Sequence, residues 1–135
     1  MKYTDFSQDQ IEKYLDNVRQ HVQKDRYAIA KSVNRLENIN FIEDYKIDTQ
    51  KEKNILLSLT YKDFCYAVDN EKEAYSYETL YIFCRQKELD YWGSLEVVDI
   101  YIKINITEIS DGSFMYIVSF HKRNKPIKYL FNDKN

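Results

Sequence analysis

Residues 95 to 123, LEVVDIYIKINITEISDGSFMYIVSFHKR, alternate apolar and polar side chains on both sides of an Asp-Gly step. In the first arm Val98, Ile100, Ile102, Ile104 and Ile106 take the even positions, and Asp99, Tyr101, Lys103, Asn105 and Thr107 the odd ones. Period-two alternation is the mark of a strand with one buried face. In the second arm Phe114, Tyr116, Val118 and Phe120 are even while Ser119, His121 and Arg123 are odd. The segment therefore predicts one long β-hairpin whose odd positions form the wet face. Parity is kept only if even residues sit opposite even residues. A two-residue loop breaks it, whereas a three-residue loop over Ser110, Asp111 and Gly112, with Gly112 left-handed as a bulge, keeps it. That register pairs Ile109 with Ser113, Lys103 with Ser119 and Tyr101 with His121, with Cβ atoms roughly 4.5 to 5.5 Å apart. A phenol, an ammonium and an imidazole then share one patch.

A chain of 135 residues with two Gly and one Pro predicts a single domain over residues 1–135 without a flexible linker. Its 13 Tyr supply amphipathic bulk for half-buried surfaces. No apolar run approaches the roughly 20 residues that span a bilayer. The start MKYTDFSQDQ is unlike a signal peptide, so a cytoplasmic location away from membranes is expected. Cys65 and Cys84 lack CxxC spacing and read as buried thiols, and His21 and His121 form no metal motif. Neither a metal nor another cofactor is expected. The net charge of −2 argues against broad non-specific binding to nucleic acid. Locally, however, Lys122, Arg123, Lys125 and Lys128 form a basic run without an acid.

Ahead of the hairpin, Ser7 and Gln10 form a capping-box pattern, and Ile11, Tyr14, Leu15, Val18 and Val22 lay one apolar stripe on a helix running to about Lys24. His21 lies beside that stripe. Residues 26–30 fit a short strand or a helix start equally well. Helix is expected from Ser32 to about Asn38, followed by irregular chain over 40–46. Thr49 and Glu52 make a second capping box for a helix with Ile55, Leu56 and Leu59 inward. From Phe64 the period changes to two: Phe64, Tyr66 and Val68 mark one strand, and Leu80, Ile82 and Cys84 alternate with Tyr81, Phe83 and Arg85 in another. A polar loop is expected over 86–94, and a short tail strand over 127–131. Residues 1–60 thus read as mainly helical and 61–131 as antiparallel sheet, giving an α+β fold with N-terminal helices packed on four or five antiparallel strands.

The segments NILLSLTYKDFCYAV, VVDIYIKINITE and FMYIVSFHK, in this order and spacing, resemble the motility quorum-sensing regulator (MqsR) family of messenger-RNA interferase toxins. The likeness covers residues 54 to 122 well and residues 10 to 53 in outline. It implies a RelE-like microbial ribonuclease fold, metal-independent cleavage of messenger RNA, and neutralisation by a partner antitoxin. The family's strand Tyr falls on Tyr101 and the Lys two positions later on Lys103. The best-known member carries Lys where this chain has Tyr66, a second-strand Gln without a clear counterpart near Leu80 to Ile82, and another basic residue where this chain has His121.

RNA is cut without metal when its 2′-hydroxyl attacks the adjacent phosphate. That reaction needs a proton acceptor, a donor to the 5′ leaving oxygen, and cations on the phosphoryl oxygens. His121 is the candidate base or acid, Tyr101 its hydrogen-bonding or acid partner, and Lys103 with Arg123 the charge stabilisers. Arg85 is a candidate phosphate clamp, Tyr81 and Phe83 candidate base-stacking residues, and Lys122 part of the RNA-binding basic run. The rival reading is a non-catalytic protein-binding module on the same fold, of the kind carried by phages or mobile elements. It draws on the acidic pI of about 5.7 and the many tyrosines.

Overall fold

The computed structural model describes residues 1–131. Residues 132–135, the end of the expected single domain, lie outside the described residues. In chain order the elements are β1 (Lys2–Tyr3), α1 (Gln8–Gln23), β2 (Tyr27–Ile29), α2 (Leu36–Asp44), α3 (Thr49–Leu57), β3 (Phe64–Asp69), β4 (Thr79–Tyr91), β5 (Ser94–Ile109) and β6 (Gly112–Lys122). The sheet order is β1-β3-β4-β5-β6-β2, with β2 parallel to β6 and the other pairs antiparallel. The α+β class is as expected, but the sheet has six strands and is mixed rather than purely antiparallel. The additional edge strands are two and three residues long, too short to show a period in sequence, and both fall in the part that reads as helical.

The helices cover one face of the sheet. On α1, Ile11, Leu15, Val18 and Val22 are fully buried, and the capping box closes its start: the Gln10 N–H donates to Ser7 Oγ at 3.1 Å and the Ser7 N–H to Gln10 Oε1 at 2.7 Å. His21 bridges α1 to the hairpin. Its Nδ1–H donates to the Asn17 carbonyl at 2.7 Å, so its Nε2 accepts from the Ser113 hydroxyl at 2.8 Å. Two helix boundaries differ from the sequence reading. Chain expected to be irregular after Asn38 is helical to Asp44, because Asn38, Phe41 and Tyr45 turn one buried face inward. The cap of α3 is Asp48, whose Oδ1 accepts from the Lys51 N–H at 2.9 Å, rather than Thr49.

The expected polar loop over 86–94 is instead strand. β4 and β5 pair continuously from Tyr81 with Ile104 out to Tyr91 with Ser94, joined by Trp92 and Gly93, both at positive φ. This extension keeps one side on the core through Leu89 and through Glu96, which accepts from the Tyr45 hydroxyl at 2.7 Å.

The turn between β5 and β6 also differs. Ile109 pairs with Gly112 and Glu108 with Ser113, so the loop is the two residues Ser110 and Asp111, with Gly112 left-handed at φ 121°. Near the turn this puts Met115 and Ile117, not Tyr116 and Val118, into the core. Parity is restored further along: Ile104 pairs with Ile117 but Lys103 with Ser119, leaving Val118 as an extra residue, a β-bulge. Beyond it Phe120 points into the core, and Tyr101 sits opposite His121, the partner the sequence register proposes, reached by a different route.

The bulge lies where β2 has ended, its last pair being Ile29 with Ile117. Asn38 of α2 takes over from the missing strand. Its Nδ2 donates to the carbonyls of Ala30 at 2.9 Å and Val118 at 3.1 Å, and its Oδ1 accepts from the Phe120 N–H at 2.8 Å. Since buried backbone groups without partners are costly, Asn38→Ala is expected to lower stability by roughly 2–4 kcal/mol. Urea denaturation reads this as a reduced midpoint, and an unchanged midpoint would show that the bulge is held by other contacts.

Candidate functional site

The face of the sheet opposite the helices is where the proposed chemistry collects. Odd residues of β5 project there, together with Tyr66 of β3, Ile82 and Cys84 of β4, and Ser119 and His121 of β6. A second bulge, at Cys65, puts both Cys65 and Tyr66 on this face while Phe64 and Ala67 remain in the helix-side core. Four separate segments of chain thus meet at Tyr66, Ile82, Tyr101 and His121.

The Tyr101 and His121 rings stack, with centroids 5.5 Å apart and planes at 21°. Both residues are largely enclosed, at 6% and 9% exposure. The His121 Nδ1–H donates to the Lys122 carbonyl at 2.8 Å, so in the neutral ring Nε2 carries the lone pair. Nε2 looks toward Glu37 Oε1, 3.8 Å away. Burial, reinforced by the Tyr66 phenol, raises the pKa of Tyr101, so its hydroxyl stays protonated and available as a donor. Lys103, one pleat along the strand, moves the other way. Burial first, then the positive charge of Arg35 and, more weakly, that of Lys125, lowers its pKa against the opposing pull of Glu71.

Beside these residues the open face forms a cavity of about 830 Å³, a size typical of ligand sites. Its floor includes Tyr66, Ile82, Lys103, Asn105 and Val118. One wall is the β3–β4 connection with Glu71, Tyr75 and Glu78, and the other the segment before α2 with Ser32, Asn34 and Arg35. Residues 124–131 cross the remaining part of the face. Lys125 Nζ lies 5.6 Å from the centre of the Tyr101 ring, Ile127 and Tyr129 pack on the Cys84–Tyr101 cluster, and the Leu130 N–H donates to the Phe64 carbonyl at 3.0 Å. This segment packs as irregular chain rather than as the expected strand over 127–131. Cys65 and Cys84 are buried free thiols, with pKa values raised chiefly by burial.

Tyr101, Lys103 and His121 are brought together, but the expected RNA-binding set is not. Tyr81 and Phe83 face the helices: Tyr81 stacks on Tyr14 of α1 with centroids 3.7 Å apart, and Phe83 is fully buried. They share parity with Arg85, which lies on the same side and pairs with Asp63 at 3.4 Å. Parity was read correctly along β4, but α1 occupies the face it assigned to RNA. Lys122 pairs with Ile100 and reaches toward the Tyr45 ring at 5.9 Å, again on the helix side. Arg123 stays on the open face but is paired with Asp99 at 3.4 Å.

Arg35, Glu78 and Asn105 were missed. Glu78 accepts from Asn70 and Asn105 at 3.0 Å each and from the Thr107 hydroxyl. No periodicity marks Arg35 or Glu78, which sit in connections, and Asn105 reads as one more polar residue on a wet face. Lys125 belongs to the basic run that the sequence does display.

Compared with known proteins, the chain matches no protein-family model, no curated protein and no solved structure. Among the described residues no helix is long and apolar enough to cross a membrane.

Burial raises the pKa of Glu78, but its hydrogen bonds from Thr107, Asn105 and Asn70 outweigh burial and hold it below the ordinary Glu value of 4.5. A carboxyl with a depressed folded-state pKa contributes stability that is complete above the unfolded value and is lost as pH falls through the folded one. Thermal melts from about pH 5 downward are therefore expected to show a steeper loss of stability for the wild type than for Glu78→Gln. Parallel curves would refute the ionised network.

Proposed function

We propose that the protein is an endoribonuclease, a metal-independent messenger-RNA interferase of a toxin–antitoxin pair built on a RelE-like fold and related to the MqsR toxins. The observation that carries this reading is the stacked Tyr101–His121 pair, with Lys103 one pleat away, beside an open cavity. It is supported by convergence in space. Tyr101 and His121, onto which the resemblance places the family's strand Tyr and a basic residue, lie far apart in sequence, as do Tyr66 and the Leu80–Ile82 stretch, where the family's Lys and Gln are replaced. They meet on one face.

In this reading His121 Nε2 takes the proton of the RNA 2′-hydroxyl. The 2′ oxygen bonds to phosphorus and the bond to the 5′ oxygen breaks, leaving a 2′,3′-cyclic phosphate and a 5′-hydroxyl. Lys103, made more acidic by its surroundings, delivers a proton to the leaving oxygen. Tyr101 donates a hydrogen bond to a phosphoryl oxygen as charge builds there. RNA is the substrate, and a cognate antitoxin the expected protein partner. The binding-module reading retains one observation in its favour: the tip of the β4–β5 hairpin exposes Trp92 at 68%, Leu95 at 68% and Val97 at 66%, an apolar patch of the kind that marks contact surfaces.

Purified protein incubated with RNA is expected to produce fragments ending in 2′,3′-cyclic phosphate. His121→Asn keeps an N–H at the Nδ1 position for the Lys122 carbonyl but has no group at Nε2 to accept the proton. It is expected to slow cleavage about 100-fold to 10,000-fold with an unchanged circular dichroism spectrum, and Tyr101→Phe to slow it less. Full activity in the His121 variant, or no cleavage by the wild type at any RNA concentration, would overturn this function.

A further inference from the structure

Arg35, Lys103 and Lys125 come from three separate parts of the chain and line the same cavity. None of them is in an ion pair among the described residues. Arg35 and Lys125 both act electrostatically on Lys103, and only Glu71 opposes them there. Gathering unpaired cations around a half-buried ammonium costs free energy unless an anion joins them. Two residues further along β5, about 7 Å away at strand spacing, the character of the floor reverses. Asn105 is 94% buried, since its exposure is 6%. Its Nδ2 is committed to the Glu78 carboxylate, which leaves Oδ1 as an acceptor without a donor. A buried acceptor left open in this way is costly. Glu78, already holding three donors, adds further acceptor character to that end.

We infer that this cavity is a nucleotide-binding site, with a phosphate held between Arg35, Lys103 and Lys125 and the base directed to the Asn105–Glu78 end, where N–H groups on its edge meet the Glu78 carboxylate that Asn105 holds. The inference deepens the ribonuclease reading and rests on it for RNA as the source of the nucleotide. Arg35 and Lys125 act here as binding residues for a phosphate of the substrate chain, and Glu78, positioned by Asn105, selects bases by their donors. The charges cooperate because a guanidinium can hold two phosphate oxygens at once while the ammonium groups act as point charges on the others.

The test uses the full chain, with inorganic phosphate and the four nucleoside 3′-monophosphates as probes in calorimetric and amide-shift titrations. Phosphate is expected to shift the amides around residues 35, 103 and 125. The Arg35→Gln/Lys125→Gln variant, altered only at unpaired side chains outside the core, is expected to bind phosphate at least about tenfold more weakly. The nucleotides are expected to bind tighter than phosphate, and Asn105→Ala to remove that gain while leaving phosphate affinity unchanged. Undiminished phosphate binding in the double variant, or no binding by the wild type, overturns the cation end. Nucleotides no tighter than phosphate overturn the base end. Nucleotide binding of this pattern without RNA cleavage by the wild type supports the site and sinks the ribonuclease reading. Cleavage that is unweakened in the double variant sinks the site and leaves that reading standing.

Discussion

The Asn38 side chain decides which way His121 points. Between the two-residue turn and Ile117, β6 presents its odd residues to the helices. Continued without interruption, that register would set Ile100 opposite His121 and bury the imidazole among the core aliphatics. One extra residue, Val118, reverses the parity, and from there Phe120 enters the core while Ser119 and His121 emerge on the open face. A bulge disrupts the ladder locally and survives only where its backbone groups find other partners. Asn38 supplies them from α2, joining Ala30, Val118 and Phe120 through one carboxamide. The candidate chemistry on one side of the sheet therefore depends on a buried hydrogen-bond cluster on its outer edge.

The two faces then acquire different physics. On the helix side, Ile100, Ile102, Ile104, Met115 and Phe120 are fully enclosed in a core built on burial of apolar surface. On the other side no α-helix among the described residues covers the strands. Tyr66, Tyr101 and Tyr129 pack there instead, apolar rings carrying a polar edge. Residues 124–131 close part of that face and deliver Lys125 to the Tyr101 ring, so this segment belongs to the site.

How much of this could be read from residues alone depended on whether the deciding partner was local. The first helix, its capping box, the long alternation of β5 and the α+β class are written in near-neighbour spacing. The Ser110–Gly112 turn was ambiguous because a left-handed Gly112 serves either loop length. The choice was made by Asn38, about eighty residues away in the chain, through a Val118 whose β-branched side chain looks like ordinary strand. β4 beyond Arg85 was hidden for a different reason. Its Gln86, Glu88 and Asp90 continue the open face of Ile82 and Cys84, which no α-helix among the described residues covers, so their polar side chains mimic a loop. The turn that ends it places Trp92 at φ 52°, a conformation that bulky residues seldom signal. Tyr101 and His121 pair as the alternation suggests, but not through the three-residue loop it invoked: the turn has two residues, and the Val118 bulge restores the parity. The identity of the face that Tyr81, Phe83 and Arg85 share was not legible, because it required knowing which side α1 covers.

Enclosure also assigns the roles within the site, if RNA is cut there. Removing a phenol from water disfavours its anion, and removing an ammonium from water disfavours its cation. The first change keeps Tyr101 protonated, and the second, reinforced by Arg35, makes Lys103 readier to release a proton. Both groups are thereby biased toward donating. The face then needs one acceptor. On His121 the Lys122 carbonyl already holds the Nδ1 proton, so Nε2 is the atom left with a lone pair. A tyrosine base with a lysine assistant, an equally reasonable assignment on residue type alone, runs against the direction in which burial moves both groups.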